Sequence, residues 1–251
     1  MHIVTVGNLK GGVGKTTVLQ NLAGVLVERG ERVLLVDLDK QTNLTSTYAR
    51  PGYSTDDGPG IYQALKQEIP FSKIVQETAV KDMWMIPGEW DLILADKTMS
   101  NDPNVYYQFR DALRELADFD YVLIDTPPDL RLETQLALFA SGSYLVPIDG
   151  DEYSYKGILM LEREVEKLRK KLNPQLRCLG YVFNKIQTNR NLIEQNIRLY
   201  RERFGDRILK TELRLSIQYG EARTHGQPIA QHSPGSKWAE LYRELAREID
   251  L

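Results

Sequence analysis

Asn8-Leu9-Lys10-Gly11-Gly12-Val13-Gly14-Lys15-Thr16-Thr17, residues 8–17, joins two segments of different periodicity. Before it, His2–Val6 is a run of apolar and β-branched side chains with the pattern of a buried strand. After it, Lys15–Arg29 places Leu19, Leu22, Ala23, Leu26 and Val27 on one helical face, and Arg32–Val36 returns to the strand pattern. Strand, turn, helix and strand make one βαβ unit. Within the turn, Gly11, Gly12 and Gly14 lack a Cβ, so the backbone can curl and point successive N–H groups at an anion. The positive end of the following helix adds its own attraction.

The same rhythm recurs along the chain. Tyr121–Ile124, Tyr144–Ile148 and Leu179–Phe183 read as buried strands, with helical patterns over about 105–117, 131–141 and 153–172. Alternation of this kind predicts an α/β fold: a doubly wound, mainly parallel sheet with helices on both faces. A chain of 251 residues, 42% of them hydrophobic, suits a single domain over 1–251 better than two small ones. Residues 50–60, RPGYSTDDGPG, have the composition of a surface loop, because periodic sequence resumes at once with IYQALKQEI.

Composition narrows the function classes. With 32 basic against 35 acidic residues the chain is no polycation, so any contact with nucleic acid must be a local patch. The single cysteine, Cys178, can form no internal disulfide and supplies no Cys/His cluster, which suits a reducing cytoplasm. The opening MHIVTVGN has neither a basic leader nor a long apolar run, and no stretch of about 18 apolar residues follows. His225 and His232 read as surface loop residues without metal-ligand spacing, and the Tyr-rich Asn104–Phe109 reads as a helix packed on the sheet.

The chemistry concentrates in the first forty residues. Lys15 is placed to reach the β- and γ-phosphates of a nucleotide, and Thr16 to offer its hydroxyl to Mg²⁺. The ordinary phosphate-loop pattern, G-x-x-x-x-G-K-[ST], asks for glycine at position 9; this chain has Leu9 there and a second lysine at Lys10. K-G-G-V-G-K-T-T resembles the deviant Walker A signature of the ParA/MinD ATPases. That resemblance implies that Lys10 crosses a nucleotide-sandwich dimer to the phosphates of the partner subunit. A cation supplied in trans would tie hydrolysis to dimerisation as an arginine finger does. It also implies ATP and Mg²⁺ as cofactors, with Gly11, Gly12, Val13, Gly14, Lys15, Thr16 and Thr17 around the phosphates.

Further positions match the family one at a time. Val33–Thr45 resembles its switch I segment, V-D-x-D-P-Q-x-N, with Asp37 and Asp39 in place and Lys40 where a proline is usual. Read without the turn before them the two aspartates are helix caps; the resemblance makes Asp39 the residue that orients the attacking water or the metal's hydration shell. Tyr121–Pro128, YVLIDTPP, is similar to a Walker B strand ending in Asp125, with Thr126, Pro127 and Pro128 as switch II. Tyr181–Lys185, YVFNK, makes Asn184 the candidate for adenine recognition, with turn-capping as its plain alternative. The stretch from Arg214 onward resembles the family's ending, E-A-x-x-x-G-x-P-[IV] followed by a final helix.

Among such relatives the chain is expected to be a short ParA-type protein, cytoplasmic and nucleoid-associated. As an ATP-bound homodimer it would hold nonspecific DNA, and a ParB-like or adaptor protein would stimulate its hydrolysis. Its cargo would be a plasmid, a chromosome region or a protein compartment such as a carboxysome. Residues 185–223 carry nine basic and five acidic side chains in a chain whose net charge is −3, and Arg190, Arg198, Arg214 and Arg223 are the DNA candidates. No membrane contact is expected: WAELYRELAREIDL sets Glu240, Glu244, Glu248 and Asp250 against Arg243 and Arg247. The alternatives are a MinD-like membrane-positioning ATPase, a ligase or kinase of the dethiobiotin-synthetase type, and a nucleotide-gated scaffold without turnover.

Overall fold

Four strands are apolar at nearly every position, which only a sheet covered on both faces can accommodate. They are β1 (His2–Val6), β2 (Val33–Asp37), β5 (Tyr121–Asp125) and β6 (Ser143–Ile148). The computed structural model describes residues 1–54, 58–186 and 191–251. In it these strands join β3 (Gln76–Glu77), β4 (Met83–Ile86), β7 (Arg177–Ile186) and β8 (Ile208–Arg214) in one eight-stranded sheet of order β3-β4-β2-β5-β1-β6-β7-β8. Every neighbouring pair is parallel except β3 with β4. The expected doubly wound sheet is present.

Alternate residues of one strand feed opposite layers. Val33 and Leu35 pack with Leu19, Leu22 and Leu26 of helix Lys15–Glu28 and with Tyr242 and Leu245 of helix Lys237–Glu248. Leu34 and Val36 face the other way, onto Phe109 and Leu113 of helix Asn104–Glu115 and Leu136 of helix Leu132–Ala140. A third cluster joins Val146 and Phe183 to Leu161 of helix Glu152–Lys171 and Tyr200 of helix Asn191–Phe204.

The helices expected near 105–117, 131–141 and 153–172 form within a few residues of those bounds. Three strands escape the periodicity. β3 has only two residues, β4 (MWMI) relies on methionine and tryptophan, and β8 mixes buried with exposed positions as an outer strand does. The last helix also departs from expectation. Two of its acids, Glu240 and Glu248, are spent internally: Arg243 bonds Glu240 and also Glu28 of the helix Lys15–Glu28, Arg247 bonds Glu240, and Tyr242, Leu245 and Ala246 are buried. Glu248 accepts from the backbone of Lys210 and Thr211 on β8, at 2.6 and 2.9 Å.

Candidate active site

β1 lies between β5 and β6, and the chain fills the sheet outward on both sides of it. At such a switch point the loops leaving the carboxyl ends of the strands diverge and open a crevice. Five of those ends carry polar groups that meet there: Asn8 to Thr17 after β1, Asp37 and Asp39 after β2, Asp125 and Thr126 after β5, Asp149 and Asp151 after β6, and Asn184 and Lys185 within β7.

The turn after β1 needs its glycines. Gly12 and Gly14 adopt φ of 78° and 86°, left-handed values that favour glycine. At Gly14 a Cβ would also stand 2.3 Å from the Asn184 amide nitrogen. That nitrogen donates to the Val13 carbonyl at 2.8 Å, while Lys185 Nζ donates to the Gly12 carbonyl at 2.6 Å. β7 thus braces the turn from outside, using Lys185, itself at φ 58°. Helix Lys15–Glu28 starts directly beyond, with Gly14 as its N-cap and no side chain capping it. Its first N–H groups are therefore left for an anion.

Lys15 is buried beneath this turn. Burial pulls its ammonium below the ordinary lysine value, against the attraction of Asp125, Asp39 and Asp129. Thr16 Oγ1 donates to Asp125 Oδ2 at 2.6 Å, and Asp125 Oδ1 is buried with no partner. Burial, together with the charge of Asp37, pushes the Asp125 carboxyl well above the usual carboxylate range. Asp37, wholly buried, is raised to about 6, chiefly by burial, although Thr45 donates to it through N–H and hydroxyl at 2.9 and 2.7 Å. Asp39, 8% exposed, accepts from Gln41 N and is no helix cap; Asp37 bonds to Thr45 within the helix Asn43–Tyr48.

An orphaned carboxylate oxygen, an adjacent hydroxyl and a crowded pair of acids fit a divalent cation. No group of three or more His, Cys, Asp or Glu side chains is arranged as a closed cage among the described residues. Mg²⁺ requires no such cage, because it keeps waters and shares its shell with phosphate oxygens.

Lys10 sits apart from Lys15. Its Nζ donates to Asp149 Oδ2 at 2.7 Å and to Asp151 Oδ2 at 2.8 Å. Burial alone would lower its ammonium, but the hydrogen bonds and charges of the two aspartates outweigh it and hold it above the ordinary value. Asn8 ties the arrangement to the sheet: its Oδ1 accepts from Lys10 N and its amide donates to the Pro147 carbonyl. Lys40, in the position usually held by proline, reaches Asp129 at 3.9 Å and so links the two segments read as switches.

Sequence reasoning missed Asp149, Asp151, Asn8 and Lys185. The aspartates follow an apolar strand just as Asp37 and Asp125 do, a signal that could have flagged them. The pairing of Lys185 with the turn is a tertiary event without a local mark. Of the DNA candidates, Arg198, Arg214 and Arg223 are exposed, whereas Arg190 lies outside the described residues. Arg214 lines a hollow of about 510 Å³ with Lys210 and Lys237 but also with Glu212, Glu240 and Glu244, and Arg198 and Arg223 do not contribute to it. His225 and His232 end the helices Gln218–Thr224 and Ile229–His232 rather than lying in plain loops, and their rings stand 5.0 Å apart.

A phosphate-binding turn at the switch point of a doubly wound sheet, with acids at the ends of the flanking strands, defines a P-loop nucleotide-binding protein. The AAA-domain family matches residues 1–178. Chromosome-partitioning ATPase Soj of Thermus thermophilus is 36% identical over 247 residues, 98% of this chain and 94% of that protein. The chain belongs to the ParA/Soj family of partitioning ATPases. Among solved structures, cobyrinic acid a,c-diamide synthase of Mycobacterium smegmatis with an ATP analogue and magnesium superposes with TM-score 0.84 at 27% identity, over 98% of this chain and 93% of that one. Apo McdA from Cyanothece shares the fold at TM-score 0.87 and 20% identity, over 99% of both chains. No helix among the described residues is long and apolar enough to cross a membrane.

Proposed function

We propose that this chain is an ATP-dependent partitioning ATPase whose ATP-bound homodimer holds DNA without sequence preference and is released when a partner protein stimulates hydrolysis. The observation that carries the reading is the separation of the two lysines. Lys15 is buried near Asp125, Asp39 and Asp129, whereas Lys10 is partly exposed and bonded to Asp149 and Asp151, which supports a role for it toward a second subunit. The kinship to Soj supports it.

In this reading Gly11 to Thr17 enclose the phosphates with backbone N–H groups, and Lys15 neutralises their charge. Thr16 and Asp125 would hold Mg²⁺, which would supply charge neutralisation at the phosphates. Asp39 orients the attacking water. Asn184, whose amide nitrogen is committed to Val13, offers its amide oxygen to the exocyclic amine of adenine. Each Lys10 leaves its aspartates and stabilises charge on the partner's transferring phosphoryl group. Arg198, Arg214 and Arg223 contribute to the DNA face, which the dimer doubles. The cycle places the protein on the nucleoid in the cytoplasm, as one domain over 1–251. Its cargo is a plasmid, a chromosome region or a protein compartment.

The test is a titration against random-sequence duplex DNA with ATP, ADP or no nucleotide at two salt concentrations. Binding only with ATP, weakening steeply with salt, is expected; indifference to DNA in every state overturns the DNA reading. The likeness to a structure solved as a diamide synthase favours one second reading, a small-molecule ligase. Turnover that rises with an acidic small substrate and ignores DNA would establish it.

A further inference from the structure

Two supports reach the glycine-rich turn from outside its own βαβ unit. One is β7, through Asn184 and Lys185 on the carbonyls of Val13 and Gly12. The other is the loop after β6, through Asp149 and Asp151 on Lys10. Helix Asn191–Phe204 touches both. Tyr200, 3% exposed, packs its ring edge-on against Phe183, the residue before Asn184, with centroids 5.7 Å apart. Its hydroxyl donates to the Asp151 carbonyl at 2.8 Å. One turn earlier, the Asn196 amide donates to the Gly150 carbonyl at 3.0 Å.

The ion pairs alone are a weak hold. The Asp149 and Asp151 side chains are 22% and 48% exposed, and pairs this open to water contribute little when both partners move freely. Their grip on Lys10 depends on the loop backbone being fixed, and Tyr200 and Asn196 hold it by hydrogen bonds to the Asp151 and Gly150 carbonyls.

We propose that Tyr200, assisted by Asn196, is a positioning residue for Lys10: it anchors the 149–151 loop so that Lys10 stays on its own subunit until a second one arrives. This rests on Lys10 acting in trans. Its contacts include the Asp151 carbonyl and aromatic neighbours such as Phe183, outside the glycine-rich turn and the Thr16–Asp125 pair. Its hydroxyl sets the ease with which Lys10 leaves, and hence the protein concentration at which the dimer forms.

Tyr200→Phe keeps the ring against Phe183 and deletes only the hydroxyl. On the full chain, sedimentation velocity with ATP should give a dimerisation midpoint at roughly fivefold lower protein concentration, the worth of one hydrogen bond. ADP affinity of the monomer should not move, and hydrogen exchange at the amides of residues 150–151 should quicken without nucleotide. A midpoint equal to that of the natural chain, or an ADP affinity that shifts in step with it, overturns the proposal. Asn196→Ala provides the second variant and should shift the midpoint the same way. Combined with Lys10→Ala, Tyr200→Phe should have no further effect on the midpoint. The two ideas separate cleanly. If Lys10→Ala leaves dimerisation intact, the trans-lysine reading fails; if it weakens dimerisation while Tyr200→Phe is silent, only the positioning role fails.

Discussion

Lys15 and Lys10 lie five positions apart in one turn, yet the protein treats them in opposite ways. Lys15 is buried among carboxylates and loses proton affinity to burial; Lys10 is partly exposed and gains it from Asp149 and Asp151. Lys15 is thus built into the buried base of the turn, among Asp125, Asp39 and Asp129. Lys10 is satisfied where it stands, so removing it from Asp149 and Asp151 must be offset by something else. The difference separates a residue that defines a binding site from one that can be given over to a second molecule.

Four substitutions would break or sharpen that contrast. Lys10→Ala should lower partner-stimulated phosphate release by about 10³-fold, the usual worth of a trans-acting cation. ADP binding to the monomer should survive, as a fluorescent-nucleotide titration can establish. Lys15→Ala should reverse that division by weakening ADP binding itself, by roughly 10–100-fold for the loss of a charge-assisted contact. Gly14→Ala attacks the frame holding both lysines. A left-handed φ and a Cβ against Asn184 should cost about 3 kcal/mol in chemical denaturation.

The smallest effect concerns pH. Asp37 titrates near its ordinary 3.8 when unfolded and at about 6 in the fold. Between those values the unfolded chain has given up its proton while the native one keeps it. Through this group, stability of the nucleotide-free, Mg²⁺-free protein should therefore fall as pH rises from about 4 to about 6, by up to 2–3 kcal/mol. Asp37→Asn should flatten that slope in melting curves taken across the range. A steeper slope in the variant would show that burial is not what raises Asp37.

Much of this was legible in the residues because the relevant signals are local. The turn after β1 announces itself by three glycines between a strand and a helix, and Asp37 and Asp125 by their places at the ends of apolar strands. Lys10 is conspicuous as a surplus, but its resting partners are not, because Asp149 lies 139 positions away in the chain. The same holds for Asn184, whose residue type suggests a cap or a base contact and whose packing makes it a brace for Val13. β4 and β8 are hidden for other reasons. β4 is apolar throughout but is only four residues long and built on methionine and tryptophan rather than β-branched side chains. β8, an outer strand with exposed positions, does not carry the unbroken apolar run that identifies an inner one. Charge counting reads the C-terminal helix only as an acidic ending, since it cannot tell that Glu248 will be used on the backbone of β8.

That last helix has a consequence for the protein's solubility. An unpaired strand at a sheet's rim is a template for irreversible growth, chain adding to chain. Here the rim at β8 is closed by the Glu248 carboxylate on two backbone N–H groups, and the opposite rim at β3 is only two residues long. With both borders blunted, copies that gather at high local density on a shared surface can meet through their loops and part again without seeding a fibre.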